Sequence, residues 1–319
     1  MTSPQQTLSI VVPVYFEEQV LEVFYNRVVE ALAPLKDEFQ LELVFVNDGS
    51  KDRSQAILAE LHGQDPRVKV LQLSRNFGHQ IAVTAGVDHA GGDVVVIIDA
   101  DLQDPPEVIL AMLDKWREGF KVVYGVRTDR KGENAFKLVT AKAFYRIMGR
   151  LSDVAIPLDT GDFRLMDRTV VAGLREMREE SRYIRGMVSW LGFQQCGVTY
   201  SRDPRYAGKT KYTLHKMVRF AFNGITSFSE KPLILAGWLG LLVTAGGFVF
   251  LLYILASKIL RPWTVVSGWA SLVAIVIFFG GIQLLSLGIL GQYIGRIYRE
   301  VKRRPLYVLE AAWGFQPKP

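Results

Sequence analysis

The chain has 319 residues, a net charge of +6, one cysteine, and 49 % hydrophobic residues beside 22 % charged ones. That length is about two ordinary domains, and a mean hydropathy of +0.16 at this charge content suggests polar and strongly apolar segments averaged together. Intrinsic disorder is excluded, and the lone Cys196 excludes a disulfide framework or a cysteine metal centre and reads as a small buried apolar residue.

The N-terminal residues Met-Thr-Ser-Pro-Gln-Gln-Thr carry no basic segment followed by an apolar one, so no signal peptide is expected and the first domain should stay in the cytosol. From there, β-branched runs alternate with helical periods. Leu8–Val14, Leu41–Val46, Val68–Leu73, Val94–Ile98 and Val122–Val126 read as strands. Between Glu17 and Pro34, Val20, Leu21, Phe24, Val28 and Leu32 fall on one helical face. Continuous Val/Ile runs, without in/out alternation, predict an α/β domain with a parallel sheet covered on both faces.

The second half changes character. Residues 232–257 and 262–295 contain no charged side chain, and each stretch exceeds the roughly 20 residues needed to span a bilayer core. They predict a two-helix transmembrane hairpin with a short external loop and Trp263 and Trp269 at the interface. Arg202, Arg205, Lys209, Lys211, Lys216 and Arg219 against Asp203 precede it, and Arg296, Arg299, Lys302, Arg303 and Arg304 against Glu300 follow it, while the loop offers Lys258 and Arg261. The positive-inside rule then places the large domain and both termini in the cytoplasm. Leu214, Met217, Val218, Ala221, Ile225 and Phe228 predict an amphipathic helix at the membrane surface. The expected division is a domain over 1–201, a basic and amphipathic segment over 202–231, two membrane helices over 232–295 and a basic tail over 296–319. Gly280, Gly281, Gly288, Gly291 and Gly295 would permit close helix packing in a homo-oligomer.

Several nucleotide motifs are absent. No G-x-G-x-x-G follows the first strand, and the first glycine that Gly208-Lys209-Thr210 would need for a P-loop falls on Asp203. No helix-turn-helix, zinc-finger or RNA-binding signature occurs, so the positive charge does not point to nucleic acid. What stands out is acidic residues at the carboxyl ends of predicted strands, the edge where open α/β sheets bind ligands. These are Pro13-Val14-Tyr15-Phe16-Glu17, Asn47-Asp48-Gly49-Ser50 and Asp99-Ala100-Asp101-Leu102-Gln103-Asp104. An Asp-x-Asp leaving a buried strand offers hard oxygen ligands suited to Mg²⁺ or Mn²⁺ held jointly with a diphosphate.

Together with Arg75-Asn76-Phe77-Gly78, Pro105-Pro106 and Gly161-Asp162-Phe163-Arg164-Leu165, these segments resemble the family 2 glycosyltransferases of GT-A fold. With the helical hairpin, the chain resembles their polyprenol-phosphate branch, which includes dolichol-phosphate mannose synthases and bactoprenol glucosyltransferases. The resemblance runs from about Leu8 to Arg304. It implies a Rossmann-like GT-A domain in which Pro13, Tyr15, Glu17, Asp48 and Asp99 bind the nucleotide sugar. It also implies a metal site of Asp99, Asp101 and Gln103, and a catalytic group of Asp101, Asp162 and Arg127. Asp162 is the family's acidic residue near the reacting sugar, with an ion pair to Arg164 as its competing structural role. Arg130, Arg202, Arg205, Lys209 and Lys211 would bind the acceptor phosphate, arginine supplying bidentate contacts.

The implied reaction is inverting transfer of a hexose, with UDP-glucose the expected donor, to undecaprenyl or another polyprenyl phosphate at the cytoplasmic membrane. GDP-mannose, UDP-N-acetylglucosamine and UDP-aminoarabinose derivatives are the alternative donors. A processive synthase is disfavoured because no Gln-x-x-Arg-Trp motif occurs. A membrane adaptor or flippase partner is disfavoured because the acidic motifs are unbroken and no Asp, Glu, Lys, Arg or His lies within either apolar stretch.

Overall fold

The computed structural model describes residues 5–127, 160–201, 231–260 and 268–315. These fall into two compact units: a globular one that takes in the described residues up to Ser201 together with 305–315, and a helical one over the described residues from 231 to 304.

The globular unit contains β1 (Gln6–Val14), α1 (Leu21–Leu32), β2 (Phe39–Asn47), α2 (Ser54–Gln64), β3 (Val68–Leu73), α3 (His79–His89), β4 (Val94–Ile97), α4 (Val108–Arg117) and β5 (Val122–Arg127). After the undescribed segment come β6 (Thr160–Asp167), α5 (Arg168–Glu176), α6 (Ile184–Trp190) and β7 (Gln195–Tyr200). The helical unit holds α7 (Lys231–Leu260) and α8 (Trp269–Val301), and β8 (Leu309–Trp313) returns to the globular unit.

Among the described residues, eight strands form one sheet in the order β7-β5-β6-β4-β1-β2-β3-β8. The five predicted strands are present, and β1 to β4 pair in parallel, as the unbroken apolar runs imply. Every residue from Leu8 to Val14 is buried, so the sheet is covered on both sides. Leu8, Ile10, Val12 and Val14 pack with Leu21, Phe24 and Val28 of α1 and with the apolar stripes of α2 and α4. On the other face α3 lies so close that a Cβ at Gly86 would sit 2.3 Å from Val11 Cγ1, so only glycine admits the helix at this distance.

The expected parallel pairing holds for β1 to β4 and does not extend through the whole sheet. β6 runs antiparallel to both of its neighbours, β4 and β5, and β8 runs antiparallel to β3. The β6 sequence Thr-Gly-Asp-Phe-Arg-Leu-Met-Asp carries three charges and a glycine and reads as a loop by composition. It becomes a strand because Phe163, Leu165 and Met166 are buried against the neighbouring strands. β8 lies within the segment expected to be a basic tail. Cys196 sits half-buried on β7 against the core, where burial pushes its thiol pKa up.

The two long helices of the C-terminal half are present, and a Cβ at Gly247 on α7 would lie 3.3 Å from the Phe279 ring of α8. Among the described residues one helical stretch, Phe278–Val301, is long and apolar enough to cross a membrane, while the apolar stretch Ala236–Phe250 of α7 is shorter. A transmembrane pair is therefore not established by the two helices alone. The expected amphipathic helix and Trp263 lie outside the described residues. A Cβ at Gly280, Gly281, Gly288, Gly291 or Gly295 would meet no atom within 4 Å, so those positions are open within the chain.

Candidate active site

The carboxyl ends of β1 and β2 are locked to each other. Ser50 Oγ accepts the Phe16 N–H at 3.0 Å, Ser54 Oγ accepts the Glu17 N–H at 3.1 Å, and the Asn47 side chain accepts the Ser50 N–H at 3.0 Å. Pro13 is buried in the ladder opposite Val46, while Tyr15 is exposed and meets Phe16 edge-on at 4.5 Å between ring centroids. Phe16 and Leu102, which follow β1 and β4, are non-glycine residues with φ of 57° and 59°. Backbone in this sparsely populated region costs energy and clusters at working edges.

Asp48, only 2 % exposed, turns its carboxylate onto the β3–α3 loop. Oδ1 accepts the Phe77 N–H at 2.7 Å, and Oδ2 accepts the Gly78 N–H at 2.9 Å and the Asn76 amide at 3.0 Å. Burial raises its pKa against the opposing effect of those donors. Three of roughly four acceptor positions of the carboxylate are thus occupied from within the chain. Asp48 shapes the loop beside the expected base site as well as standing next to it.

At the end of β4 the side chain of Asp99 is partly exposed, and Asp101 Oδ1 accepts the Gln103 N–H at 3.2 Å, which closes the turn. Desolvation pushes the Asp99 pKa up to about 6; His79 opposes the rise, and Asp162, Asp101 and Asp104 add to it. Among the described residues no group of three His, Cys, Asp or Glu side chains is arranged to hold a metal ion by itself. Asp99, Asp101 and Gln103 therefore do not form an all-protein cage. They fit the other mode of Mg²⁺ binding, in which one or two carboxylates share the ion with water and substrate phosphates.

Asp162 on β6 is 10 % exposed at its side chain and densely partnered. Arg185 Nε donates to Oδ1 at 2.8 Å and Gln80 Nε2 to Oδ2 at 3.0 Å, while His79 Nε2 lies 3.1 Å from Oδ2. The expected partner Arg164 is not the one the structure selects. Its guanidinium, 3 % exposed, donates to the backbone carbonyls of Gly161 and Asp162, and burial pushes its pKa down to about 10. Although burial disfavours its charge, Arg185 and His79 hold the Asp162 carboxyl well below the usual carboxylate range. His79 also lies 3.7 Å from Asp99 Oδ1. Desolvation works against its cationic form, yet Asp162 and Asp99 push its pKa up to about 9.

The start of α3 therefore joins the two halves of the site. Gly78 donates to Asp48, the next residue bridges Asp162 and Asp99, and Gln80 bonds Asp162 while accepting the Ile184 N–H at 2.9 Å. Arg127, the last residue of β5, forms a separate knot: its Nε donates to the Tyr200 hydroxyl at 3.3 Å, and its Nη2 lies 3.5 Å from Asp104 Oδ2. The Tyr200 hydroxyl in turn donates to Asp104, which is 1 % exposed. A Cβ at Gly161 would lie 2.6 Å from Arg127 Nη2, so the guanidinium rests over that glycine.

Sequence reasoning does not select His79, Gln80, Arg185 or Tyr200, and it marks Asp104 as part of the acidic segment without assigning it a role. His79 and Gln80 directly follow the Arg75–Gly78 motif, a usable signal, whereas nothing near Arg185 in the sequence marks it. The expected acceptor-phosphate residues Arg130, Arg202, Arg205, Lys209 and Lys211 lie outside the described residues.

Comparison with known proteins shows the family. The model of Glycosyl transferase family 2 matches residues 9–175. An uncharacterised glycosyltransferase of Bacillus subtilis (strain 168), YkcC, is 53 % identical over 310 residues, covering 97 % of this chain and 95 % of the relative. A protein of Escherichia coli (strain K12) named prophage bactoprenol glucosyl transferase homolog is 41 % identical, covering 95 % of this chain and 98 % of its own. The bactoprenol glucosyl transferase of Shigella phage SfII is 42 % identical, with coverages of 97 % and 99 %. Among solved structures, glucosyl-3-phosphoglycerate synthase from Mycobacterium tuberculosis aligns at 21 % identity and a TM-score of 0.43, covering 68 % of this chain and 76 % of that one. The chain, with its Rossmann-like α/β domain, belongs to glycosyl transferase family 2.

Proposed function

We propose that the protein transfers glucose from UDP-glucose, with inversion, to the phosphate of undecaprenyl phosphate at the cytoplasmic face of the membrane. Two observations support a polyprenyl phosphate acceptor: the relatives named for bactoprenol glucosyl transfer, matched over nearly their full length, and the apolar helix Phe278–Val301. The observation that carries the catalytic part is the continuity at Gly78-His79-Gln80, which joins the Asp48 loop to the carboxylates of Asp99 and Asp162.

In this reaction an acceptor phosphate oxygen attacks the anomeric carbon as the bond to the UDP oxygen breaks, and UDP leaves with the electron pair. The acceptor is already anionic near neutral pH, so no strong base is needed. Asp162, held ionised by Arg185 and His79, orients hydroxyls and positive groups around the sugar. Asp99 and Asp101, with Gln103, would hold Mg²⁺ or Mn²⁺, which when bound neutralises charge on the leaving diphosphate. Tyr15 and the Asp48 loop border the nucleoside side, and Arg127 stands toward the phosphates. The basic residues Arg130, Arg202, Arg205, Lys209 and Lys211 receive the lipid phosphate, and α7 and α8 form the membrane hairpin with both chain ends in the cytoplasm.

The deciding experiment mixes the purified full-length protein with undecaprenyl phosphate and, separately, UDP-glucose, GDP-mannose, UDP-N-acetylglucosamine and a UDP-aminoarabinose derivative. Nucleotide release is expected with UDP-glucose and undecaprenyl phosphate together. Release with a different donor reassigns the sugar, and no release with any of them rejects the enzymatic function.

A further inference from the structure

The C-terminal residues after α8 have no part in the reaction described above, yet they are bonded to the globular unit just before one functional loop and at the far end of the helix that follows it. β8 pairs antiparallel with β3, with Trp313 opposite Val70 and Leu309 opposite Leu73. One residue further, the Ser74 N–H donates to the Val308 carbonyl at 3.0 Å. Ser74 is the last residue before Arg75-Asn76-Phe77-Gly78, the loop gripped by Asp48. At the far end of α3, the helix that follows this loop, the Tyr307 hydroxyl donates to Asp88 Oδ2 at 2.9 Å. Arg178 holds the same carboxylate with contacts of 2.9 Å to both oxygens. The Phe315 ring lies beneath Lys69 at 5.3 Å and against His89 at 5.6 Å.

We infer that residues 305–315 are a strap whose pairing with Ser74 and Asp88 positions the Arg75–Gly78 loop for the nucleotide of the donor. The strap fixes the strand that leads into the loop and the helix that leads out of it. Asp48 holds the middle. Without the strap, β3 becomes an edge strand and Ser74 loses the partner that fixes the loop's first residue. The effect belongs to donor binding, because the loop is bonded to Asp48 and reaches the end of β4 through His79, the residue that follows it. Tyr307 and the strand are positioning elements that act through the loop. This inference rests on the nucleotide-sugar function proposed above.

The test uses full-length chains: wild type, Tyr307→Phe, Ala312→Pro, which places a proline inside β8 opposite Leu71, and the strand-compatible control Ala312→Val. UDP affinity is measured by calorimetry, and KM and kcat by nucleotide release. The proline chain is expected to raise the UDP Kd and the donor KM about fivefold, with kcat and the lipid-phosphate KM within twofold of wild type. Tyr307→Phe shifts the same two constants by about twofold, and Ala312→Val leaves them unchanged. If the proline chain does not fold, Tyr307→Phe decides. Unchanged donor constants in a folded proline chain, or an equal loss in every constant, overturn the strap. A wild-type chain that binds no UDP overturns the nucleotide-sugar function instead.

Discussion

Arg185 Nε donates to Asp162 Oδ1 at 2.8 Å, while the Nη1 of the same guanidinium donates to the Thr160 carbonyl at 2.6 Å. One arginine on α6 thus fixes both the first residue of β6 and the carboxylate two residues along it. Removing one member of a poorly solvated ion pair leaves the other uncompensated and typically costs about 3 kcal/mol or more. Arg185→Ala is expected to lower the melting temperature by several degrees and to reduce turnover at least tenfold. Arg185→Lys, which keeps the charge but loses the fork, should fall between. Thermal unfolding and nucleotide release check this, and an Arg185→Ala chain with wild-type stability and turnover refutes it.

Asp167, the N-cap of α5, governs acid stability. Burial opposes its ionisation, but the Thr169 N–H and hydroxyl, the Trp116 indole and Lys121 outweigh it and bring its pKa down from 3.8 to about 2. Because the folded-state value is depressed, the stabilisation is present in full above about pH 4 and disappears as pH falls toward 2. Linkage puts it at about 2 kcal/mol at neutral pH. Asp167→Asn should therefore be less stable than wild type at pH 7, with the gap closing between pH 4 and 2 in denaturant titrations. A gap independent of pH would show that the carboxylate's charge is not the cause.

Asp101→Ala is expected to remove more than nine-tenths of the turnover while thermal unfolding stays close to wild type, the Gln103 N–H that it accepts lying in a partly buried turn at the edge of the sheet. Excess EDTA should abolish nucleotide release, and Mg²⁺ or Mn²⁺ should restore it. Full activity in EDTA would remove the metal from the mechanism.

Gly49 has a φ of +68°, and a Cβ there would sit 2.5 Å from the Arg75 carbonyl carbon and 2.7 Å from the Asn76 nitrogen. A side chain would thus meet both a left-handed backbone and a clash with main-chain atoms that have little freedom to shift. Gly49→Ala should cost roughly 2 kcal/mol or more in denaturant unfolding. It should also raise the donor KM, because the displaced atoms belong to the Asp48 loop. A loss confined to stability, with the donor KM of the Gly49→Ala chain unchanged, would separate that loop from nucleotide binding.

Much of this protein is legible before folding. The Val/Ile runs of β1 to β4 reveal a parallel, doubly covered sheet because such strands have no solvent face to encode. Asp48, Asp99 and Asp101 are recognisable because they follow those runs directly. β6 is hidden by its charges, and β8 follows a basic stretch that reads as tail. Arg185 escapes detection because it meets Asp162 across 23 residues, and His79 because it meets the same carboxylate across 83.

The α/β core, the acidic edge and the apolar C-terminal half are written in local runs and spacings, and the family is legible in the sequence through the resemblance of its motifs to those of known glycosyltransferases. Three things waited for the folded chain: which cation serves Asp162, that Asp48 is occupied with holding the Arg75–Gly78 loop, and that the C-terminal residues close the sheet beside that loop. Periodicity and motif describe neighbours along the chain. The partner of a buried charge or of an edge strand is chosen instead by what the fold brings within hydrogen-bonding distance.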